Sequence, residues 1–179
     1  MGIFDKVRAL FSNEVDQFDV PTEIVSVVQT ERRTRQRMNA RAGTRALIID
    51  DSPTIVAALR KMLRSSGYVV LEAFDAEAGL VAARTEQPDL IFLDIVLPGM
   101  NGFSALRAIR RDPATHHIPV IMISGNEQAT EQFFGSRIGA DDFMKKPFSR
   151  FEVFARIERL LDGNLTLRRL IAGTEPPKV

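Results

Sequence analysis

From residue 45 onward the chain alternates between two hydrophobic patterns. Short runs of β-branched residues and leucine, bounded by Gly, Pro or Asp, are each followed by a stretch whose apolar positions recur at helical spacing. The runs at 46–49, 69–73, 90–93, 120–123 and 142–144 predict strands, and the unbroken apolar run at 90–93 predicts one covered on both faces. Helices are predicted over 53–66, with Ser52 as N-cap and Pro53 in the first turn, and over 76–85, capped by Asp75. Three more follow at 102–111, 127–138 and 150–161, the first ended by Asp112 and Pro113 and the last by Gly163. Five strands alternating with five helices predict an α/β fold, a five-stranded parallel sheet doubly wound by right-handed crossovers. Ligands of such sheets bind outside the carboxyl ends of the strands, so residues that carry chemistry belong just after strands.

Asp50, Asp51, Asp94, Ser124 and Lys146 all meet that condition. Adjacent first and third strands would bring three carboxylates to one edge. At roughly 4 Å and an effective dielectric near 20, each pair of full charges costs about 4 kcal/mol, so the cluster calls for a cation or a proton. With no His or Cys close by, a hard divalent ion such as Mg²⁺ suits this all-oxygen set. A carboxylate beside such an ion can act as a nucleophile and form an aspartyl phosphate, provided the incoming phosphoryl oxygens are balanced. Lys146 could do so as a point charge, and Ser124 as a hydroxyl donor beside Gly125. Taken singly, an Asp after a strand is more often a cap or turn residue, and Asp51 beside Ser52-Pro53 fits that role. Five such residues at the ends of four strands outweigh that reading.

These residues resemble those of bacterial response-regulator receiver domains, the CheY-like superfamily. Ile49-Asp50-Asp51-Ser52 is similar to the family's acidic pair, and Asp94 with Leu97-Pro98-Gly99-Met100-Asn101-Gly102 to its phosphoacceptor strand and loop. Ser124-Gly125 fills the switch hydroxyl position, and the stretch from Gly139 to Phe148 resembles the closing motif. The resemblance implies that Asp94 is phosphorylated, that Asp51, Asp94 and the backbone carbonyl of Val96 ligate Mg²⁺, and that Asp50 acts through a metal-bound water. It implies further that Lys146 and Ser124 contact the phosphoryl group, that Phe143 is the switch aromatic and that the Lys146-Pro147 bond is cis. Gly125, where the family often has Ala, and Phe143, where Tyr is common, are small departures. Lys146 is selected over Lys145 because it directly precedes Pro147; Lys145 is read as a solvated charge.

A chain of 179 residues, 45% hydrophobic and 26% charged, holds one ordinary core with appendages. The absence of cysteine excludes a disulfide framework and thiolate chemistry and fits a cytoplasmic protein, and the apolar runs are too short to span a bilayer. Net charge is +1 but unevenly placed: −3 over residues 1–29 and +5 over 30–45. Ile3, Phe4, Val7, Leu10 and Phe11 share one helical face, which predicts a short amphipathic N-terminal helix that docks on protein. Its polar face is not basic, which disfavours membrane contact. Arg32, Arg33, Arg35, Arg37, Arg41 and Arg45 lie in a polar stretch without interleaved aromatics, read as a solvated linker in preference to a nucleic-acid site. Leu165, Leu167, Leu170 and Ile171 are expected to extend the last helix before Gly173 and Pro176-Pro177. The expected division is thus an extension over 1–44, a receiver over 45–163 and a tail over 164–179.

Two enzyme readings compete poorly. A phosphatase of the haloacid dehalogenase type needs a second Asp two residues after the nucleophile, where Asp50 is followed by Ser52, and no phosphate-cradling glycine loop is present. His116 and His117 lack metal-ligand spacing and receive no role. Phe133, Phe134, Phe151 and Phe154 are read as packing residues, with Phe148 and Phe151 near an output face. The expected function is that of a two-component phosphorelay response regulator, not an enzyme. A histidine kinase or phosphotransfer protein supplies the phosphoryl group, and a downstream protein reads it without a DNA-binding output domain. The architecture resembles chemotaxis and twitching-motility regulators. The alternative is a constitutive adaptor or localisation protein acting through its terminal extensions.

Overall fold

A computed structural model of the protein describes residues 38–135 and 139–170. Ten elements occur in order: β1 (Arg45–Ile49), α1 (Pro53–Arg64), β2 (Val69–Ala73), α2 (Ala76–Glu86), β3 (Leu90–Asp94), α3 (Gly102–Arg111), β4 (Val120–Ser124), α4 (Glu127–Gly135), β5 (Asp142–Lys145) and α5 (Arg150–Arg159). All strand pairs are parallel, in the order β2-β1-β3-β4-β5. The crossover that sets β3 beside β1 is the one that brings acidic residues together. Ile49 pairs with Leu93, so Asp50 and Asp94 leave the sheet at the same level.

Strand alternation explains why both faces are apolar. Ala46, Ile48, Leu90, Phe92, Ile121, Ile123 and Met144 turn to one side, against Val56, Leu59 and Leu63 of α1 and Val153, Phe154 and Ile157 of α5. Leu47, Ile49, Ile91, Leu93, Val120, Met122 and Phe143 turn to the other, against Ala76 and Ala83 of α2 and Phe103, Leu106 and Ile109 of α3. Two cores thus clamp the sheet. Asp75, Asn101 and Ser149 accept from the backbone N–H of Ala78, Ser104 and Glu152, at 2.7, 2.9 and 3.2 Å, and so start α2, α3 and α5.

Three sequence expectations are corrected. Ser52 stands at the N-cap of α1 but its side chain makes no capping bond; its own N–H instead donates to Asp50 Oδ1 at 3.0 Å. α1 stops at Arg64, two residues before the expected end, and the chain turns at Gly67 with φ +83°. The apolar residues after α5 do not extend it. The helix ends at Arg159, Leu161 pairs antiparallel with Leu167, and Leu167 is buried in the core against α5. Leu165 and Leu167 lie two positions apart, the spacing of extended chain rather than of a helix.

Ala40, ahead of β1, is buried in the same core. No helix among the described residues is long and apolar enough to cross a membrane. The predicted amphipathic segment over 3–11, the arginines up to Arg37, the end of the helix predicted to 138 and the tail from Ile171 lie outside the described residues, as does the side chain of Phe134.

Candidate functional site

The five residues singled out by strand-end position converge at the carboxyl end of β1, β3, β4 and β5. Asp50, Asp51 and Asp94 each offer one carboxylate oxygen within 4.8 Å of the others. Asp50 and Asp94 are buried, whereas Asp51 is exposed at the rim. Lys146 reaches in from the end of β5, with its Nζ 2.8 Å from Asp94 Oδ2 and 2.6 Å from Asp50 Oδ2. One ammonium thus serves both buried carboxylates, donating to Asp94 and forming an ion pair with Asp50. The second Asp94 oxygen accepts from the Val96 N–H at 3.3 Å, and so the phosphoacceptor candidate is held from both sides.

The electrostatics follow from this geometry. Burial pushes the Asp94 carboxyl up; the hydrogen bond and charge of Lys146 oppose it, and the like charge of Asp50 adds to it. Burial works against the Lys146 ammonium, but its pairing with Asp50 and Asp94 outweighs that and holds its pKa above the ordinary lysine value. Three carboxylates face one ammonium, which offsets only part of their charge. That combination fits a hard divalent cation held by oxygen ligands.

Ser124 is buried at the end of β4, where its Oγ accepts from the Asn126 N–H at 3.1 Å and lies 3.3 Å from the Asn126 carbonyl. Phe143 is buried on β5 and stacks on Phe133 of α4, with centroids 4.9 Å apart at 28°. That pairing is not legible in the chain, since Phe133 shows only the helical spacing of a packing residue. Lys145 is exposed and lies 3.4 Å from Glu127, away from the acidic cluster. The peptide bond between Lys146 and Pro147 is cis. His116 and His117 are exposed and edge-to-face with each other.

In the sequence Gly102 is only the end of a motif; the structure shows why nothing larger stands there. A Cβ on Gly102 would lie 2.0 Å from the Asp94 carbonyl oxygen and 2.8 Å from Ile95 Cα. Its N–H donates to the Ile95 carbonyl at 2.9 Å. The first turn of α3 is therefore seated directly on the backbone that carries Asp94.

An open parallel sheet with an acidic pocket at its carboxyl edge, crossed by a strand-end lysine, is the arrangement expected of a receiver domain. Residues 46–158 match the family described as the response regulator receiver domain, and the chain belongs to that family. Members are the receivers of two-component response regulators, in which phosphorylation on aspartate is the general mechanism. Protein PilH of Pseudomonas aeruginosa is 41% identical over 119 residues, which are 66% of this chain and 98% of PilH. The chemotaxis protein CheY4 of Vibrio cholerae is 28% identical at a TM-score of 0.62, over 67% of this chain and all of CheY4. The receiver domain of the sensor histidine kinase PA1611 of Pseudomonas aeruginosa is 31% identical at a TM-score of 0.59, over 66% of this chain and 96% of that domain. That structure carries a magnesium ion in its active-site cleft.

Proposed function

We propose that Asp94 is the phosphoacceptor, that a sensor histidine kinase or phosphotransfer protein supplies the phosphoryl group, and that a downstream protein reads the change by direct contact. The observation that carries this reading is Lys146 Nζ at 2.8 Å from Asp94 Oδ2, inside a pocket with three carboxylates and one ammonium. A carboxylate oxygen of Asp94 forms the new P–O bond as the P–N bond of a donor phosphohistidine breaks, and the leaving imidazole takes up a proton. Lys146 moves from the carboxylate to a phosphoryl oxygen, and the Ser124 hydroxyl turns from the Asn126 backbone to donate to another. Asp50, Asp51, Asp94 and the Val96 carbonyl would hold Mg²⁺, which neutralises charge on carboxylate and phosphoryl oxygens.

Phe143 is the proposed reporter of the Ser124 movement. It sits on the strand next to β4, and its ring partner Phe133 lies on α4, so a shift of either alters the surface formed by α4, β5 and α5. The extension over 1–44 and the tail over 164–179 are proposed as accessory segments to this unit. The protein partner is the readout. Capture of binding proteins by wild type and Asp94→Asn, each incubated with a small phosphodonor and Mg²⁺, should give a partner retained by wild type and lost by the variant. Identical partner sets would contradict the reading.

A further inference from the structure

The segment after α5 doubles back and closes the end of the sheet opposite the acidic pocket. The Asp162 N–H donates to the Thr166 carbonyl at 2.9 Å and the Arg168 N–H to the Leu160 carbonyl at 2.8 Å, with Leu167 anchored in the core. Arg169 then reaches Asp141 Oδ1 at 3.3 Å and the carbonyls of His116 and Gly139 at 3.1 and 3.2 Å, while the Leu170 N–H donates to Asp141 Oδ1 at 3.0 Å. The other oxygen of Asp141 accepts from Arg110 of α3 at 2.7 Å and from the Val120 N–H at 2.8 Å. Three parts of the chain, α3, β4 and the return segment, meet on one carboxylate whose side chain is 0% exposed. The family match ends at residue 158, so this return segment lies beyond it.

The held residues are not neutral ground. Gly139 and Asp141 run directly into β5, which carries Phe143 and ends beside Lys146. Asp142 is in turn tied to Arg156 and Arg159 of α5, at 3.1 and 3.4 Å. We propose that residues 160–170 are a latch that restrains the lead-in to β5, and through it Phe143 and Lys146, so that opening the latch makes Asp94 easier to phosphorylate. The second half rests on the function proposed above. Movement of β5 that accompanies phosphoryl transfer works against these bonds, and by reciprocity a phosphoryl group on Asp94 loosens the latch.

The test uses the full chain and two readouts. Hydrogen exchange is followed in wild type, in Arg169→Ala, in the milder Arg169→Gln and in Arg111→Ala, an exposed control on α3. Loss of a charge-assisted contact predicts about tenfold faster exchange over residues 139–145 in both Arg169 variants, with β1 and β3 unchanged. Phosphate uptake from a small phosphodonor with Mg²⁺ should rise several-fold in the same variants and not in the control. Unchanged exchange over 139–145, or an increase spread equally over β1 and β3, overturns the latch. Faster local exchange with unchanged uptake overturns its regulatory role. Wild type that takes up no phosphate sinks the phosphoacceptor reading instead, while the exchange arm still decides whether the latch exists.

Discussion

The two ends of the sheet each bury aspartate, and they balance its charge in opposite ways. At the amino end Asp141 faces two guanidiniums, Arg110 and Arg169, and accepts two backbone N–H bonds besides. At the carboxyl end Asp50 and Asp94 share one ammonium while a third carboxylate stands at the rim. A buried carboxylate is therefore not in itself a sign of chemistry. What marks the carboxyl end is the deficit: charges that the protein leaves to be completed by something it binds.

The largest effect that could break this contrast is at the satisfied end. Asp141→Ala strands Arg110 and the Val120 N–H, and should lower stability by about 3–5 kcal/mol in urea unfolding, as removal of one partner of a buried pair does. A loss below about 1 kcal/mol would mean that the amino end is not built around Asp141.

At the other end the sign reverses. Asp50→Asn removes one of two crowded carboxylates and should raise stability by about 1 kcal/mol in Mg²⁺-free buffer. The gain should shrink or invert in millimolar Mg²⁺, because wild type is stabilised by the ion and the variant far less. A variant destabilised in both buffers would show that the pocket carries no charge deficit.

The smallest effect sharpens the contrast by showing what an unsatisfied group costs when it is neutral. Tyr68, packed against Phe154, is buried with a hydroxyl that lacks a well-placed partner. Tyr68→Phe should change stability by less than about 1 kcal/mol near neutral pH. Burial pushes the phenol up to about 12, against the pull of the Ala40 backbone. A folded pKa above the unfolded value means a contribution intact below about 10 and lost as pH rises through about 12. Tyr68 is the single tyrosine of the chain, so its ultraviolet titration reports this directly. A midpoint near the model-compound value of about 10 in folded protein would show the ring to be solvated.

The sheet and the acidic pocket were legible because parallel βα units leave a strong local trace: apolar runs of strand length, helical spacing between them, and Asp, Ser or Lys just past the strands. Strand order was not legible: the adjacency of the first and third strands entered only as a condition, since no local pattern says that β3 lies beside β1. The amino end was hidden for a different reason. Asp141 finds Arg110 across 31 residues and Arg169 across 28, and such pairings have no periodicity to betray them. The run after α5 misled because its leucines suggest a helix by number, while Leu165 and Leu167, two positions apart, have the spacing of extended chain and Leu165 at φ +58° begins the return. Gly102 could be noticed in sequence, but its reason, a missing Cβ over the Asp94 carbonyl, is a fact of packing.

Intact mass measurement after incubation with a small phosphodonor and Mg²⁺ tests the central claim most directly. Wild type should gain the mass of one phosphoryl group, Asp94→Asn none, and Asp51→Asn little at the same Mg²⁺ concentration. Absence of the added mass on wild type, or its undiminished appearance on Asp94→Asn, would contradict the assignment of Asp94.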